Sequence, residues 1–279
     1  VKRNGTSRER HIVAQLKAWF GDKATKENDY CFNYLPKINP AENASLVRLF
    51  DKAIAGQFKL WLNIGTNSLV STPNSDLVRK GLANVEMLVV SDLFEIETAQ
   101  FWRAPGVDPA TINTEVIFLP AAFVYEKDGT MSNSGRWIQW KDAAIKPLGE
   151  SQPDLEMLDM IFRKVRELYK DSKDPKDAPI LNARWNYGHE NMALKVLQEL
   201  NGYNEQTGEL LPSIGDYLKA PIGTVSTGNW IYAGVTGNGN LAARRKNDDP
   251  SGLGLYRNWS FSWPGNIRIL YNRASCDAN

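Results

Sequence analysis

The residues best suited to chemistry in this sequence are short polar side chains that directly follow apolar runs. The stretch "LWLNIGTNSLV" leads from apolar residues into Gly65 and Asn67, and "EMLVVSD" ends in Ser91 and Asp92. Such groups form hydrogen bonds with sugar hydroxyls and base edges, and a carboxylate accepts two hydrogen bonds from N1 and the exocyclic amine of guanine. The pattern is therefore typical of one half of a guanosine pocket.

Neither common phosphate-binding fingerprint occurs at the first of these loops. A Walker loop needs G-x-x-x-x-G-K-[ST], and a dinucleotide loop needs G-x-G-x-x-G at the start of a helix. Here a single glycine, Gly65, is followed by Thr66, Asn67 and Ser68. Any nucleotide at this loop must be bound through different contacts. An alternative stays open, in which the loop is only a turn and Asp92 caps the next helix.

The charge balance argues against a nucleic-acid or membrane partner. The chain has 279 residues, with 33 Lys and Arg against 32 Asp and Glu, so its net charge is +1. No stretch contains the roughly 18 uninterrupted apolar residues that a membrane span needs. We therefore predict no nucleic-acid partner and no direct membrane contact. The sequence starts at Val1 without Met and without a signal-peptide pattern, which we interpret as a processed or excised segment.

Metal ligands are scarce in the sequence. The cysteines are Cys31 and Cys276, and the histidines are His11 and His189. Their spacing matches neither a zinc motif nor an iron–sulfur motif. We therefore predict no metal site in this chain.

Hydrophobic periodicity predicts an α/β fold with a Rossmann-like parallel sheet flanked by helices. Apolar residues at helical spacing predict helices over 8–20, 43–55 and 75–82, and apolar runs predict strands over 58–64, 86–92 and 114–120. Runs that are apolar on both faces are typical of a parallel sheet covered by helices. Ligands bind such sheets at the carboxyl ends of the strands. The polar residues after the strands should therefore meet at one edge.

The second half of the sequence predicts helices and a loop-rich aromatic C-terminal tail. A helix over 152–169 has Asp154 in its first turn, where an acid also stabilises the helix dipole. Its predicted buried stripe consists of Leu155, Leu158, Ile161, Phe162 and Val165. A charged linker over 172–179 precedes a predicted helix over 186–200. The tail, 224–279, contains Trp230, Trp259, Trp263, Tyr232 and Tyr256, which could stack on bases or pack as aromatic filler; its low basic charge favours packing.

A central stretch of the sequence carries a specific resemblance. The segments "SDLFEIETAQFWRAPGVDPATINTEVIFLPAA", "EKDGTMSNSGRWIQW" and "KPLGESQPDLEML" follow one another from Ser91 to Leu158. Together they resemble the large subunit of molybdenum- or tungsten-dependent formate dehydrogenases, within the dimethyl sulfoxide reductase family. The segments "FWRAPGVDP", "NWIYAG", "NLAARR" and "ILYNRAS" resemble formate dehydrogenase in particular. The resemblance covers nearly the whole chain and implies oxidation of formate to carbon dioxide at a metal held by two molybdopterin guanine dinucleotides.

The resemblance also implies which residues contact that cofactor. Asn67 matches the asparagine of a G-x-N-P loop, although Ser68 replaces the proline, and Ser91 with Asp92 matches a strand-end pair that contacts the guanosine. Glu115 stands where many members of the family have an aspartate. The predicted cofactor-binding residues are Asn67, Ser91, Asp92, Glu115, Lys127 and Asp154.

Lys127 and Asp154 match family elements of their own, and so do two further residues outside the predicted set. Lys127 in "EKDG" resembles a cofactor-contacting lysine, a point charge suited to an anionic dinucleotide. Asp154 resembles an acid that the family uses at the guanine end. Arg136 and Gln139 fall in an N-x-x-R-x-x-Q element, for which pterin contact and packing are equal alternatives.

Several family elements have no match in this chain. These are the four-cysteine cluster motif, the metal-ligating cysteine or selenocysteine with its neighbouring histidine, and the active-site arginine. The resemblance therefore implies a middle piece of the large subunit that contains no catalytic residue and is inactive alone. It implies a 4Fe-4S cluster in the N-terminal part, an iron–sulfur small subunit as a partner besides the rest of the large subunit, and a periplasmic location.

The predicted division places a cofactor-binding α/β domain at 1–171 and a helical, loop-rich wrapping segment at 172–279. Two other interpretations stay open. One is another oxidoreductase of the dimethyl sulfoxide reductase family, such as a nitrate reductase, against which "FWRAPGVDP" argues. The other is a structural subunit of a respiratory complex that has lost its cofactor.

Overall fold

A computed structural model describes residues 6–37, 39, 41–43, 45–245 and 259–264. The helices are α1 (Thr6–Phe20), α2 (Leu46–Ile54), α3 (Ser68–Ser71), α4 (Ser75–Leu82), α5 (Asp154–Tyr169), α6 (Ala178–Asn182), α7 (Met192–Asn201) and α8 (Ile214–Lys219). The strands are β1 (Leu60–Ile64), β2 (Met87–Asp92), β3 (Glu115–Pro120), β4 (Gly129–Ser132), β5 (Trp137–Lys141), β6 (Tyr203–Asn204), β7 (Val225–Ser226) and β8 (Phe261–Ser262).

The chain divides into two compact units. The sheet unit comprises Lys37–Lys127 and Ala144–Met157, and the larger unit comprises Val1–Pro36, Asp128–Ala143 and Leu158–Asn279. The predicted boundary at residue 171 concerns functional domains and stays a prediction.

The sheet unit confirms the predicted α/β class. Its sheet has the order β1-β2-β3, and both pairs of neighbouring strands are parallel. In the register, Leu60 lies beside Met87, and Met87 lies beside Glu115. Side chains alternate between the two faces of a strand. Leu88 and Val90 therefore share one face of the sheet, and Leu60 and Leu62 share the other.

The core of the sheet unit lies on the face of Leu88 and Val90. Both side chains are fully buried, and the same cluster contains Phe50 from α2 together with Val78 and Leu82 from α4. Apolar residues at helical spacing produce this packing, because they place one stripe of each helix against the strands. Helices α2 and α4 thus cover one face of the sheet.

Local capping explains where α4 begins. Asn74 has left-handed backbone geometry (φ +66°), and its side-chain oxygen accepts a hydrogen bond from the Leu77 N–H at 3.1 Å. Such a contact satisfies one of the free N–H groups of a helix start. The predicted bounds of this helix, 75–82, are confirmed.

The larger unit contains two small antiparallel sheets and several apolar clusters. Strands β4, β5 and β8 form one sheet, and β6 pairs with β7 in the other. The Trp230 ring stacks on His11 with 4.1 Å between the ring centroids, and Trp263 meets Trp230 edge-on. For these two tryptophans, aromatic packing is therefore the better interpretation. Tyr256 lies outside the described residues.

Two expectations for the larger unit need correction, and one of its features was not predicted. The last predicted helix begins at Met192 and not at residue 186, because Gly188 and Asn191 adopt left-handed backbone angles (φ +64° and +53°) that interrupt a helix. The hairpin of β4 and β5 was not predicted.

The predicted buried stripe of α5 is also wrong in part. Leu158 and Ile161 are exposed, whereas Asp159 is buried. The Asp159 carboxylate is stabilised there because it accepts hydrogen bonds from Arg163 at 2.8 and 2.9 Å and from the Trp185 indole N–H at 2.6 Å.

Candidate cofactor-binding site

Backbone pairing brings the ends of the three parallel strands to one edge, which we name the carboxyl edge. Ile64 lies beside Ser91, and Asp92 lies beside Pro120. The Gly65 N–H donates to the Ser91 carbonyl at 2.9 Å, which continues the pairing into the loop. Gly65 has φ +60°, and a Cβ at this position would meet nothing within 4 Å. The backbone angle, and not crowding, therefore accounts for the glycine.

The loop after β1 is shaped by a buried asparagine. The Asn63 side chain donates to the Thr66 carbonyl at 2.5 Å and accepts from the Ser68 hydroxyl at 2.6 Å. Because Asn63 is buried, these bonds fix the loop and satisfy a polar group that would otherwise be costly to bury. The apolar residues around Asn63 gave no signal of this role in the sequence.

The Asn67 side chain is held from both ends by residues that follow β2. Its amide nitrogen donates to Glu97 at 2.5 Å, and its oxygen accepts from the Thr98 hydroxyl at 2.9 Å. The Thr98 oxygen also accepts the Leu69 N–H at 3.0 Å. A hydrogen bond with its own backbone and then the bond from Asn67 lower the pKa of Glu97, so this carboxylate is charged at neutral pH. Glu97 and Thr98 were missed because their partner lies about thirty residues away in sequence.

Ser91 and Asp92 lie together at the end of β2 but on opposite faces of the sheet, since successive side chains of a strand alternate. The Ser91 hydroxyl is buried and has no hydrogen-bond partner within the described part of the chain. Asp92 is half-buried, and its Oδ1 accepts the N–H of Leu93 at 2.7 Å. No helix begins after Asp92, so the alternative in which Asp92 caps the next helix is wrong. Within the described residues, Oδ2 makes no hydrogen bond and is available to a ligand.

The beginning of α5 is attached to the same edge. The Gln152 N–H donates to the Pro120 carbonyl at 3.0 Å, so Asp154, two residues later, lies close to the end of β3. The Lys127 ammonium donates to Asp154 Oδ2 at 2.5 Å. This pair is partly exposed, so both charges stay within reach of solvent.

Glu115 is separated from the other predicted residues. It is the first residue of β3 and is exposed, so it lies at the opposite edge of the sheet. The length of β3 separates it from the carboxyl edge by about 16 Å at the usual rise of roughly 3.3 Å per residue. The structure brings together Asn67, Ser91, Asp92, Lys127 and Asp154 but does not bring Glu115 to them. Arg136 and Gln139 belong to the larger unit, where Arg136 lies over the Trp263 ring.

A second polar cluster lies within the larger unit. Arg184 donates two hydrogen bonds to Glu205, at 3.0 and 3.1 Å, and the Tyr187 hydroxyl donates to Glu199. These residues line a cavity of about 570 Å³. Burial is the main cause that raises the pKa of Glu199, and Arg184 opposes this shift. Within the described residues, no three His, Cys, Asp or Glu side chains come close enough together to hold a metal.

Comparison with known proteins identifies the family. Residues 13–164 match the molybdopterin oxidoreductase family. The chain belongs to this family. Membership implies a molybdopterin cofactor with molybdenum or tungsten, and the matched residues include the whole carboxyl edge.

The similar proteins include formate dehydrogenases from several bacteria. The chain is 37% identical over 98% of its length to formate dehydrogenase 2 subunit alpha (cytochrome c-553) of Nitratidesulfovibrio vulgaris. It is 37% identical over 96% of its length to the formate dehydrogenase major subunit of Haemophilus influenzae, and 36% over 96% to the nitrate-inducible major subunit of Escherichia coli. The chain spans only 28% of each of these relatives. The predicted resemblance to formate dehydrogenase large subunits is confirmed.

The carboxyl edge fits a nucleotide-bearing cofactor chemically. Among the described residues it offers the buried Ser91 hydroxyl without a hydrogen-bond partner, an Asp92 carboxylate oxygen that makes no hydrogen bond, and the Lys127 ammonium. Donors, acceptors and a cation are the groups that bind a base, a ribose and a diphosphate.

In the part of the chain that the structure describes, no helix is long and apolar enough to cross a membrane.

Proposed function

We propose that the sheet unit binds the guanosine diphosphate end of a molybdopterin guanine dinucleotide at the carboxyl edge. The observation that carries this proposal is the meeting of Asn67, Ser91, Asp92, Lys127 and Asp154 at one edge of a parallel sheet. Ligands of open α/β sheets bind at this edge, where strand ends and loops converge.

Each side chain has a role that its chemistry supports. The Asp92 carboxylate accepts hydrogen bonds from the guanine N1–H and exocyclic amine. The Asn67 amide, fixed by Glu97 and Thr98, positions the loop against the ligand. Lys127 neutralises diphosphate charge as a point cation, and Asp154 holds the Lys127 ammonium in place. Glu115 is left out of the proposed site because it lies at the other edge.

The parent protein in this proposal is the large subunit of a formate dehydrogenase. It oxidises formate to carbon dioxide at a molybdenum or tungsten centre with two guanine dinucleotides, in anaerobic respiration in the periplasm. The bound metal and pterin supply the redox chemistry, while the residues of this chain bind and orient the cofactor. The 4Fe-4S cluster and the metal ligand come from polypeptide outside this chain, and an iron–sulfur small subunit is a partner. The chain alone is inactive.

The proposal is tested by titrating the 279-residue chain with GDP and with ADP in a calorimeter. We expect GDP to bind at least tenfold more tightly than ADP, because only guanine presents two donors to Asp92. In Asp92→Asn this preference should disappear, since the amide replaces one acceptor oxygen by a donor. Equal affinity for the two nucleotides, or no GDP binding at millimolar concentration, contradicts the proposal.

A further inference from the structure

A basic pocket lies in the larger unit beside the second half of α5. Its volume is about 420 Å³, which is within the range of pockets that bind small molecules. Arg163, Arg166 and Lys170 line it. Their spacing of three and then four residues places them on one face, because residues at such spacing are neighbours on a helix surface. Three cationic side chains therefore contribute to one cavity.

The acidic side chains on this part of α5 are already paired. Arg163 donates through Nε to the buried Asp159 carboxylate at 2.8 and 2.9 Å. Glu167, the acidic residue of the pocket wall, accepts a hydrogen bond from the Lys164 ammonium at 2.8 Å. That bond is the main cause that lowers the pKa of Glu167, so this carboxylate is charged and paired at neutral pH. Both acids thus leave the remaining cations of the pocket unbalanced.

Arg166 is fixed in place without being neutralised. Its Nη2 donates to the carbonyl oxygens of Leu181 and Ala183, both at 2.7 Å, and its guanidinium lies 5.8 Å from the centre of the Phe162 ring. Carbonyl groups and an aromatic ring orient the guanidinium but carry no net charge. In the described part of the chain, neither Arg166 nor Lys170 forms an ion pair. Two positive charges are therefore available to an anion.

The aromatic wall of the pocket favours an anion that also has an organic part. The Trp185 ring lines the pocket and stacks on Phe162 with 4.1 Å between the ring centroids, and Leu181 lies in the same wall. Apolar surface of this kind gains free energy when a ligand removes it from water. A guanidinium binds carboxylates and phosphates through two parallel hydrogen bonds. The combination suits a dianion with an apolar part better than a bare inorganic ion.

We propose that this pocket binds a small organic dianion, either a phosphate ester or a dicarboxylate. The negative charge of the ligand pairs with the Arg166 guanidinium and the Lys170 ammonium, and its organic part lies against the Trp185 ring. The bonds that hold Arg166 to α6 and its flank reduce the entropy lost on binding, because the guanidinium is already ordered. The pocket belongs to the larger unit, so this inference does not rest on nucleotide binding at the carboxyl edge.

Calorimetric titration of the 279-residue chain at pH 7.5 and physiological ionic strength tests the proposal. The probes are phenyl phosphate and phthalate, which are both aromatic dianions at this pH. Inorganic phosphate is the control for charge without a ring, and phenol is the control for a ring without charge. We expect at least one aromatic dianion to bind at least fivefold more tightly than either control. The tighter probe identifies the oxyanion group, and equal affinities mean that the pocket accepts both.

Variants locate the binding. Lys170→Glu should weaken binding of the tighter probe at least tenfold, because it replaces a cation by an anion at an exposed position. Arg166→Lys should weaken it at least threefold, because an ammonium lacks the planar pair of donors. Lys219→Glu, the matched charge change at an exposed position outside the pocket, should leave the affinity within twofold.

Three results overturn the proposal. The first is that neither aromatic dianion binds at millimolar concentration, which would leave a carboxylate of neighbouring polypeptide as the partner of Arg166. The second is unchanged affinity in Lys170→Glu. The third is an equal loss in Lys127→Ala, which would place the probe at the carboxyl edge. If the melting temperature shows that Arg166→Lys is unfolded, Lys170→Glu decides the matter alone.

Discussion

The carboxyl edge of the sheet and the Arg184 cluster of the larger unit are both rich in polar side chains, but they hold their charges differently. At the carboxyl edge, the Lys127–Asp154 pair is partly exposed, and Asp92 Oδ2 makes no hydrogen bond with any residue that the structure describes. In the larger unit, the Glu205 carboxylate is 8% exposed and accepts both hydrogen bonds that Arg184 offers. If the carboxyl edge is the binding site proposed above, its solvent-exposed charge is what distinguishes it from the Arg184 cluster, where the Arg184–Glu205 pair is largely buried.

The largest expected effect is a loss of stability when a charge of the Arg184 cluster is removed. Glu205→Ala should lower the free energy of unfolding by about 3 kcal/mol, because it leaves the Arg184 guanidinium without its partner in a largely buried site. Urea denaturation followed by circular dichroism measures this loss. GDP affinity of the folded protein should not change. Glu190→Ala, at an exposed position of the same unit, is the control and should be neutral; an equal loss in both variants contradicts the comparison.

The next effect is a loss of GDP affinity when a charge of the carboxyl edge is removed. Lys127→Ala should weaken GDP binding about tenfold, roughly 1.4 kcal/mol, while the free energy of unfolding changes by less than about 1 kcal/mol, as expected for a partly exposed ion pair. Calorimetric titration and urea denaturation provide the two measurements. Lys80→Ala, an exposed lysine on α4, should alter neither quantity. A large loss of stability with unchanged affinity would mean that Lys127 belongs to the structural kind of cluster.

A smaller effect concerns pH. Burial raises the folded-state pKa of Glu199 above the ordinary value of 4.5, so the folded protein retains a proton that the unfolded chain has lost. This contribution to stability is fully present below the unfolded pKa and is lost as pH rises from 4.5 to the folded pKa. In Glu199→Gln this decline should be absent. Urea denaturation at a series of pH values measures the change in stability for the wild type and for Glu199→Gln. The prediction is contradicted if wild-type stability rises with pH in this window relative to the stability of Glu199→Gln.

The smallest effect is expected at Glu115. Its place at the opposite edge of the sheet predicts that Glu115→Ala leaves GDP affinity within twofold of wild type. The same calorimetric titration measures it, with Lys127→Ala as the positive control. A tenfold loss would show that the cofactor site includes a residue outside the carboxyl edge.

The sheet unit could be predicted well because its signals are local. Apolar residues at helical spacing, among them Val78 and Leu82, define α4 within a few residues. The strands that end at Ile64 and Asp92 are short apolar runs followed by polar residues. These patterns also placed Asn67, Ser91 and Asp92 at one edge.

The remaining features depend on contacts between residues far apart in sequence. Asn67 is held by Glu97 and Thr98, and nothing in the local pattern of either segment shows that pairing. Asp159 is buried because Trp185, twenty-six residues away, donates to it. Helical periodicity alone assigned the neighbours of Asp159 to the core, since periodicity identifies a stripe but not the surface that covers it.

The route of the chain out of the sheet unit has a practical consequence. The chain leaves the sheet unit after Lys127 and re-enters it at Ala144. At this point the Tyr125 carbonyl accepts the N–H groups of Ala144 and Ile145 at 2.8 and 3.3 Å. These hydrogen bonds hold the outgoing and returning segments next to each other, as at the base of an inserted loop. Replacing 128–143 by a short glycine–serine bridge would therefore add little closure entropy. We expect a minimal sheet unit for separate expression to be obtained best by cutting at this junction.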